Sequence, residues 1–226
     1  MRASSRVAGL VAGVCALMLG LLAAGPTAAS ADEVGQVGQV GQVDERRGTV
    51  TSSAPFLLPM EPYAGYQPQT TCKRTPKPGV LMLADWLVAR GGGYGTISRS
   101  CAGSSRSEHK ESRAFDWLLD ATDPVDAALA AALLDELLAP DDTGQPHALA
   151  RRMGIMYIIW DDTMYASYDG FVAKRYLSSG CRTRRTCSPT LRHRDHLHVS
   201  LTRKGARGTT SWYYAQMAAP VVVPTP

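Results

Sequence analysis

The sequence predicts a single α+β domain in which helices flank a small antiparallel β-sheet. Helix-forming and strand-forming runs follow one another without the regular alternation that produces a parallel sheet. The strand-like runs are short, and several alternate polar with apolar residues, as in sheets that have one covered face. Five cysteines, four of them beyond residue 31, add an expectation of disulfide bonds.

Residues 1–31 have the composition of a signal peptide. Two arginines precede an apolar run at 7–24, and Ala29 and Ala31 occupy the small-residue positions of a cleavage site. A membrane anchor is the alternative, but the run contains glycines and is near the lower length limit for a span. We therefore expect cleavage, with the mature protein secreted or held in the cell wall and free of the membrane.

Both ends of the mature chain are expected to lie outside the folded domain. Residues 32–68 contain the repeat VGQVGQVGQV and then a proline-rich stretch, which together predict a flexible linker that runs over the surface. Residues 217–226 form a proline-rich tail, which leaves 69–216 for the domain. Loss of the two leader arginines leaves 22 basic and 20 acidic residues, a charge of +2 that is too small to indicate nucleic-acid binding.

The first half of the domain contains two predicted helices and one strand. Apolar residues at helical spacing begin at Pro78, and the glycines at 91–93 end that helix. The run at 114–119 is short and apolar, which predicts a strand. Asp123 is a suitable N-cap for the alanine- and leucine-rich helix that follows, and Pro124 suits its first position.

The second half of the domain supplies most of the predicted sheet. A short helix over HALARRM precedes the run GIMYIIW, whose β-branched and aromatic residues predict a strand. The run TMYASYDG should pair with it as a hairpin across Asp161 and Asp162, and HLHVSLT is the final strand.

The four cysteines beyond residue 31 are expected to form two disulfides. Zinc binding by these cysteines is disfavoured, because no two of them have the close spacing of zinc-binding pairs. Cys181 and Cys187 enclose a small loop that a bridge would hold, and Cys72 would then pair with Cys101. Spacing alone leaves the other two connectivities open.

Two short segments, SEHKESRAFDW at 107–117 and HRDHLHVSL at 193–201, concentrate groups that bind metal ions. Three of the five histidines lie in the second segment. In the first, His109 and Asp116 are seven residues apart, or about 10.5 Å along a straight helix. The two side chains can share an ion only if the chain turns between them, and the polar stretch KESR allows a turn.

The alternation of side chains in the two predicted strands places the polar groups on one face. Asp116 lies opposite its apolar neighbours Phe115 and Trp117, and His196 and His198 likewise share one face of the last strand. If the two strands are neighbours, facing Cβ atoms lie about 4.5–5.5 Å apart. One cation could then bridge the strands, so the spacing predicts a metal site.

These segments resemble the LAS superfamily of zinc peptidases, which includes lysostaphin-type enzymes, D-Ala-D-Ala metallopeptidases and hedgehog amino domains. The superfamily pattern is S-x-H-x-x-G-x-A-x-D followed by a late H-x-H. SEHKESRAFD and HLH match it except at Ser112, where the pattern has glycine. The resemblance implies Zn2+ as the cofactor, with His109, Asp116 and His198 as its ligands.

The resemblance also implies roles for neighbouring residues. His196 corresponds to the superfamily's non-ligand histidine, which orients water or stabilises the developing oxyanion. Asp195 and His193 are two candidates for the catalytic base, and the choice between them stays open. Arg99 and Arg106, just before His109, are candidates for holding a substrate carboxylate, although solvated loop arginines are the more ordinary interpretation.

The function that the resemblance implies is secreted zinc-dependent hydrolysis of amide bonds in peptidoglycan peptides. The protein would act as a monomer, with a peptidoglycan peptide as its substrate and no nucleic-acid or membrane partner. A non-catalytic cell-wall or metal-binding module of the same fold is the alternative, and a secreted metal-dependent nuclease is disfavoured by the near-neutral charge. The arginines between positions 182 and 194 would favour anionic wall polymers.

Overall fold

The computed structural model describes residues 58–218 of the chain. The predicted signal peptide, most of the predicted linker and all but the first two residues of the predicted tail lie outside the described residues. Within 58–218, no helix is both long enough and apolar enough to cross a membrane.

The described part of the chain forms an antiparallel sheet of six strands, which confirms the predicted α+β class. In spatial order the strands are β1, β2, β6, β3, β4 and β5. Their bounds are β1 Gly93–Tyr94, β2 Ala114–Leu118, β3 Ile155–Trp160, β4 Thr163–Ala166, β5 Ala173–Arg175 and β6 Leu197–Leu201. The predicted hairpin is present as β3 and β4, which turn at Asp161 and Asp162.

Five α-helices accompany the sheet within the described residues. They are α1 Pro78–Val88, α2 Pro124–Leu138, α3 Ala148–Met153, α4 Arg203–Ala206 and α5 Ser211–Ala218. The predicted N-cap of α2 is confirmed, because the Asp123 carboxylate accepts hydrogen bonds from the Val125 and Asp126 N–H groups. The first three helices match the predicted ones, whereas β1, β5, α4 and α5 were not predicted.

One face of the sheet packs into the hydrophobic core, and the other carries the polar groups. Phe115 and Trp117 of β2 are fully buried in the core, where α1 and α2 also contribute side chains. On the opposite face Leu118 is 46% exposed, so the predicted alternation along this strand is confirmed. Burial of Val199 and Leu201 fixes β6 in the same way and turns His198 to the polar face.

The segment 58–71 has no helix or strand, yet it is held firmly against the domain. The carboxylate of Glu111 accepts hydrogen bonds from the Thr70 and Thr71 N–H groups, at 2.9 and 3.0 Å. The guanidinium of Arg113 donates to the carbonyl of Gln67 and pairs with Glu111 at 2.5 Å. Both anchoring side chains are almost completely buried, so segment 58–71 contributes to stability.

The two predicted disulfides, Cys72–Cys101 and Cys181–Cys187, are both present. The first ties the end of segment 58–71 to the loop that precedes His109. The second closes a small loop upstream of the final strand. Disulfides indicate an oxidising compartment, in agreement with the predicted extracellular location.

We predict that loss of the first disulfide destabilises the protein more than loss of the second. The bridges span 29 and 6 residues, and the chain-entropy model gives about 3.6 and about 2.2 kcal/mol for loops of these lengths. Urea unfolding of the Cys72→Ala/Cys101→Ala and Cys181→Ala/Cys187→Ala proteins measures the difference. An equal or reversed order would contradict the loop-length explanation.

We also predict that Glu111→Gln lowers the free energy of unfolding by about 3 kcal/mol at pH 7, because it removes the closer of the two carboxylates that pair with the buried Arg113. The control is Glu136→Gln, which breaks the more exposed pair with Arg90 and should cost less than about 1 kcal/mol. A similar loss in both variants would show that burial of the Glu111 pair is unimportant.

The same variant should change the acid sensitivity of the protein. Burial opposes ionisation of Glu111, but hydrogen bonds from Thr70, Arg113 and Thr71 outweigh it and lower the pKa to about 2 from 4.5. Because the folded-state pKa is the lower one, the stabilisation is complete above pH 4.5 and is lost as the pH falls to about 2. The difference in unfolding free energy between wild type and Glu111→Gln should shrink over that range.

Candidate metal centre

Three elements bring the predicted ligands together. His109 lies in a 3₁₀ turn, Glu108–Glu111, while Asp116 is on β2 and His198 is on β6. The two strands are antiparallel neighbours, and Asp116 stands directly opposite His198. The proposed adjacency of the strands and the turn between His109 and Asp116 are therefore both present.

Ser112 makes the turn possible at the position where the superfamily pattern has glycine. Its backbone is left-handed, with φ 48° and ψ 50°. A non-glycine residue in this region carries a steric cost of about 1–2 kcal/mol. The Ser112 N–H donates to the His109 carbonyl at 3.0 Å, and its hydroxyl donates to the Lys73 carbonyl at the same distance. The serine thus adopts the backbone conformation that the pattern assigns to glycine.

The potential ligand atoms converge within the sheet's polar face. Asp116 Oδ1 lies 3.1 Å from His109 Nε2 and 2.8 Å from His198 Nδ1, and these two nitrogens are 3.2 Å apart. All three residues are buried, and one ligand atom from each lies within 4.8 Å of the others. This group could hold a metal ion.

The second nitrogen of each histidine is engaged away from this centre. His109 Nδ1 lies 3.0 Å from the Ile97 carbonyl, which can only accept, so the proton is on Nδ1 and Nε2 offers a lone pair. His198 Nε2 lies 2.9 Å from the hydroxyl of Ser200, with Nδ1 turned to the centre. Such hydrogen bonds to the outer nitrogen are typical of metal-binding histidines.

The charge states of the group also suit a cation. Burial opposes ionisation of Asp116, but the contacts with His109 and His198 outweigh it and hold the pKa of the carboxyl well below its usual range. Burial lowers the pKa of His198, which keeps its imidazole neutral. A buried carboxylate beside the neutral imidazole of His198 has a negative charge to balance, and a bound divalent cation would supply the positive charge.

His196 and Asp195 form a hydrogen-bonded pair beside this group. His196 Nδ1 lies 2.7 Å from Asp195 Oδ1, and its Nε2 faces Asp116 Oδ1 at 3.6 Å. The other Asp195 oxygen accepts a hydrogen bond from the Thr190 hydroxyl at 2.5 Å. Both oxygens of the carboxylate are therefore occupied, and His196 points one free nitrogen at the centre.

His193 completes the histidine cluster from the loop before β6. Its ring centroid lies 4.8 Å from that of His196 and 5.5 Å from that of His198. Its backbone is left-handed, and its Nδ1 is buried without a hydrogen-bond partner in the described structure. Burial, followed by the charges of the neighbouring histidines, lowers the pKa of His193 to about 2.

The predicted arginines stand in different positions. The side chains of Arg99 and Arg106 are exposed. The backbone N–H of Arg99 donates a hydrogen bond to the His109 carbonyl at 3.2 Å. Arg192 pairs with Asp162 at 2.5 Å, and Arg194 pairs with Asp161 at 2.9 Å. These two loop arginines are thus neutralised by the hairpin turn, which weakens the expectation that the loop attracts anionic polymers.

Sequence reasoning missed three residues that lie beside the site, namely Tyr157, Glu108 and Ser200. Tyr157 of β3 stacks on His198, with ring centroids 5.5 Å apart and an interplanar angle of 21°. Its hydroxyl donates to Glu108 at 2.5 Å. Ser200 could have been found, because it shares the face of His198 at a spacing of two, whereas Tyr157 depends on a pairing that the sequence does not reveal.

Comparison with known proteins gives one family match. The family model described as "VldE, C-terminal domain" matches residues 72–185, just over half of the 226-residue chain. The matched range includes His109 and Asp116 and ends before His193. No curated protein and no solved structure matches the chain.

We predict that Asp116→Ala and His198→Ala each abolish stoichiometric metal binding, because each removes one of three converging ligand atoms. His196→Ala should retain the metal. Elemental analysis after dialysis against dilute Zn2+ measures occupancy, and circular dichroism checks folding. Full occupancy in Asp116→Ala or His198→Ala would exclude that residue as a ligand, and loss of metal in His196→Ala would make His196 one.

Proposed function

We propose that this chain, which belongs to the VldE C-terminal domain family, is an exported zinc-dependent hydrolase of amide bonds in peptidoglycan peptides. The observation that carries the proposal is the buried group of His109, Asp116 and His198 with a fourth histidine, His196, directed at it. Three ligands hold a metal without closing its coordination, which is the arrangement typical of catalytic sites.

The donor set favours zinc as the metal. Two imidazole nitrogens and one carboxylate oxygen are ordinary zinc ligands, whereas magnesium and calcium prefer sites made of oxygen alone. A zinc ion bound here would supply a Lewis acid that activates water and polarises the scissile carbonyl.

The proton transfers are assigned to His196. The Asp195 carboxylate accepts a hydrogen bond from Nδ1–H of this histidine at 2.7 Å. Nε2 therefore holds the lone pair that faces the centre. His196 can take a proton from the attacking water at Nε2 and return it from the same atom to the leaving nitrogen. Asp195 keeps the imidazole in the correct tautomer and stabilises its protonated form, as the aspartate does in catalytic triads.

This assignment differs from the expectation that Asp195 or His193 is the base. Asp195 already accepts hydrogen bonds at both oxygens, from His196 and Thr190, so its geometry suits an orienting role. Burial and the neighbouring histidines lower the pKa of His193 to about 2, which makes it a poor proton acceptor at neutral pH. His193 is instead a neutral neighbour that packs beside His196 and His198.

The substrate class rests on location and on the superfamily resemblance. The predicted signal peptide and the two disulfides are consistent with a protein that works outside the cell, where peptidoglycan lies. An amide bond in the peptide portion suits an open zinc site with an adjacent acid–base residue. A non-catalytic wall-binding module has no use for the Asp195–His196 pair, which favours the enzyme.

We predict that the zinc-loaded protein releases new amino groups, but no new reducing ends, from purified sacculi, and that a chelator stops the reaction. His196→Ala and Asp195→Asn should keep zinc and slow turnover by about 10²–10⁴-fold, through loss of the acid–base group or its tautomer. The control Asp169→Asn changes an exposed aspartate paired with Lys174 and should have wild-type activity.

Mass spectrometry of the released muropeptides identifies the bond that is cleaved. If sacculi and short wall peptides remain intact with zinc fully bound, the hydrolase proposal fails and the binding module replaces it. Cleavage of plasmid DNA instead of sacculi would establish the nuclease alternative.

A further inference from the structure

The loop that the Cys181–Cys187 disulfide closes carries three arginines and no acidic residue. We call residues 181–187 the arginine loop. Arg182 and Arg185 are exposed, whereas Arg184 is partly buried. Within the described part of the chain, no hydrogen bond or ion pair engages the side chain of Arg182 or Arg185. The arginine loop therefore presents two guanidinium groups to the solvent.

Positive charge exceeds negative charge around the arginine loop. Asp162, at the turn of the β3–β4 hairpin, pairs with Arg192 at 2.5 Å and lies 4.0 Å from Arg184. Among the ion pairs of the described residues, this carboxylate is the one partner of the four arginines from position 182 to position 192. Four arginines against one carboxylate leave three positive charges, and such an excess attracts anions.

The arginine loop is held in one shape before any ligand binds. The disulfide closes it across 6 residues, and Arg184–Thr186 forms a 3₁₀ turn. The hydroxyls of Thr183 and Thr186 lie 2.9 Å apart, and the Cys187 N–H donates to the Arg184 carbonyl at 3.3 Å. A loop ordered in advance loses less conformational entropy on binding.

The spacing and type of the charged groups indicate the chemistry of the ligand. Arg182 and Arg185 are three positions apart, so their Cα atoms are at most about 11 Å from each other. Charges this close suit a polymer with an anion in every short repeat better than the sparse carboxylates of a peptide. A guanidinium binds two oxygens of one phosphate at once, which favours phosphate as that anion.

Two observations favour a polymer of the cell wall over a nucleic acid. Disulfides indicate an oxidising compartment, in agreement with the predicted export. The mature chain as a whole is nearly neutral, and this local excess of charge is small for a nucleic-acid surface.

We propose that the arginine loop is a docking surface for an anionic wall polymer whose backbone consists of polyols joined by phosphodiesters. Arg182 and Arg185 bind phosphates of the polymer, Arg184 adds positive charge, and the disulfide keeps the three arginines ordered. The partly neutralised Arg192 and Arg194 are not needed for this binding. The surface goes beyond the proposed function, because binding here requires neither the metal nor catalysis.

The chain runs directly from the arginine loop to the candidate metal centre. The Thr190 hydroxyl donates to the Asp195 carboxylate at 2.5 Å, and the Asp161 N–H donates to the His193 carbonyl at 2.8 Å. These hydrogen bonds fix the segment between the disulfide and β6 on the hairpin turn. A polymer bound at the arginine loop would hold the protein on the wall beside peptidoglycan.

Titration calorimetry of the full chain with poly(glycerol phosphate) tests the proposal. Arg182→Gln/Arg185→Gln should bind about 10-fold more weakly than wild type, because two ion pairs with phosphate are lost. Its affinity should also depend less on salt concentration, because fewer counterions are released. The matched control is Arg74→Gln/Arg207→Gln, which removes two exposed arginines elsewhere and should bind like wild type.

A second variant tests the contribution of the disulfide. Cys181→Ala/Cys187→Ala keeps every charge, so the salt dependence of binding should stay that of wild type. The affinity should fall about 3–10-fold, because the arginines must then be ordered on binding. Thermal unfolding confirms that each variant is folded. Wild-type affinity in this variant would contradict the ordered loop.

Three results would overturn the docking surface: no binding by wild type, wild-type affinity in Arg182→Gln/Arg185→Gln, or an equal loss in the control. Tighter binding of duplex DNA at the same salt concentration would make nucleic acid the partner, and tighter binding of polyglutamate would replace phosphate by carboxylate. Because the titration needs neither zinc nor turnover, failure of the hydrolase proposal would leave this result standing.

Discussion

The pairing of β2 with β6 is the constraint on which the site depends. It sets Asp116 opposite His198, although the two residues are 82 positions apart in the chain. The apolar side chains on the reverse face lock this register, because a slip of one residue would move them into the polar face and the ligands into the core. The hydrophobic core thus decides where the ligand atoms lie.

The cost of burying so many polar groups is offset by hydrogen bonds and ion pairs among them. Asp116 is held by two histidines, and behind them Glu108, Arg113 and Glu111 are paired with one another and with backbone groups. Glu111 also accepts hydrogen bonds from the backbone of segment 58–71. These hydrogen bonds join that segment to the 3₁₀ turn that carries His109. A metal ion would complete this balance by neutralising the remaining carboxylate charge.

The sequence revealed the features that depend on local periodicity or on a short motif. Alternation in two strands predicted the polar face, Asp123 predicted the start of α2, and the motif match pointed to the three residues that the structure brings together as a group that could hold a metal ion. Strands of two or three residues, such as β1 and β5, are too short to show a period. Tyr157 of β3 stands opposite Ser200 of β6 only because an irregularity of β3 between Ile155 and Tyr157 shifts the register between the two strands. The occupation of both Asp195 oxygens likewise required the tertiary structure.

X-ray absorption spectroscopy at the zinc edge tests the central claim most directly, because it reports the ligands of the bound ion in solution. The account predicts a first shell of nitrogen and oxygen near 2.0–2.2 Å, with multiple-scattering features of two imidazoles and no sulfur. Three imidazoles would make His196 a ligand and remove the proposed acid–base group. A sulfur shell would place the ion at the cysteines and contradict the metal centre altogether.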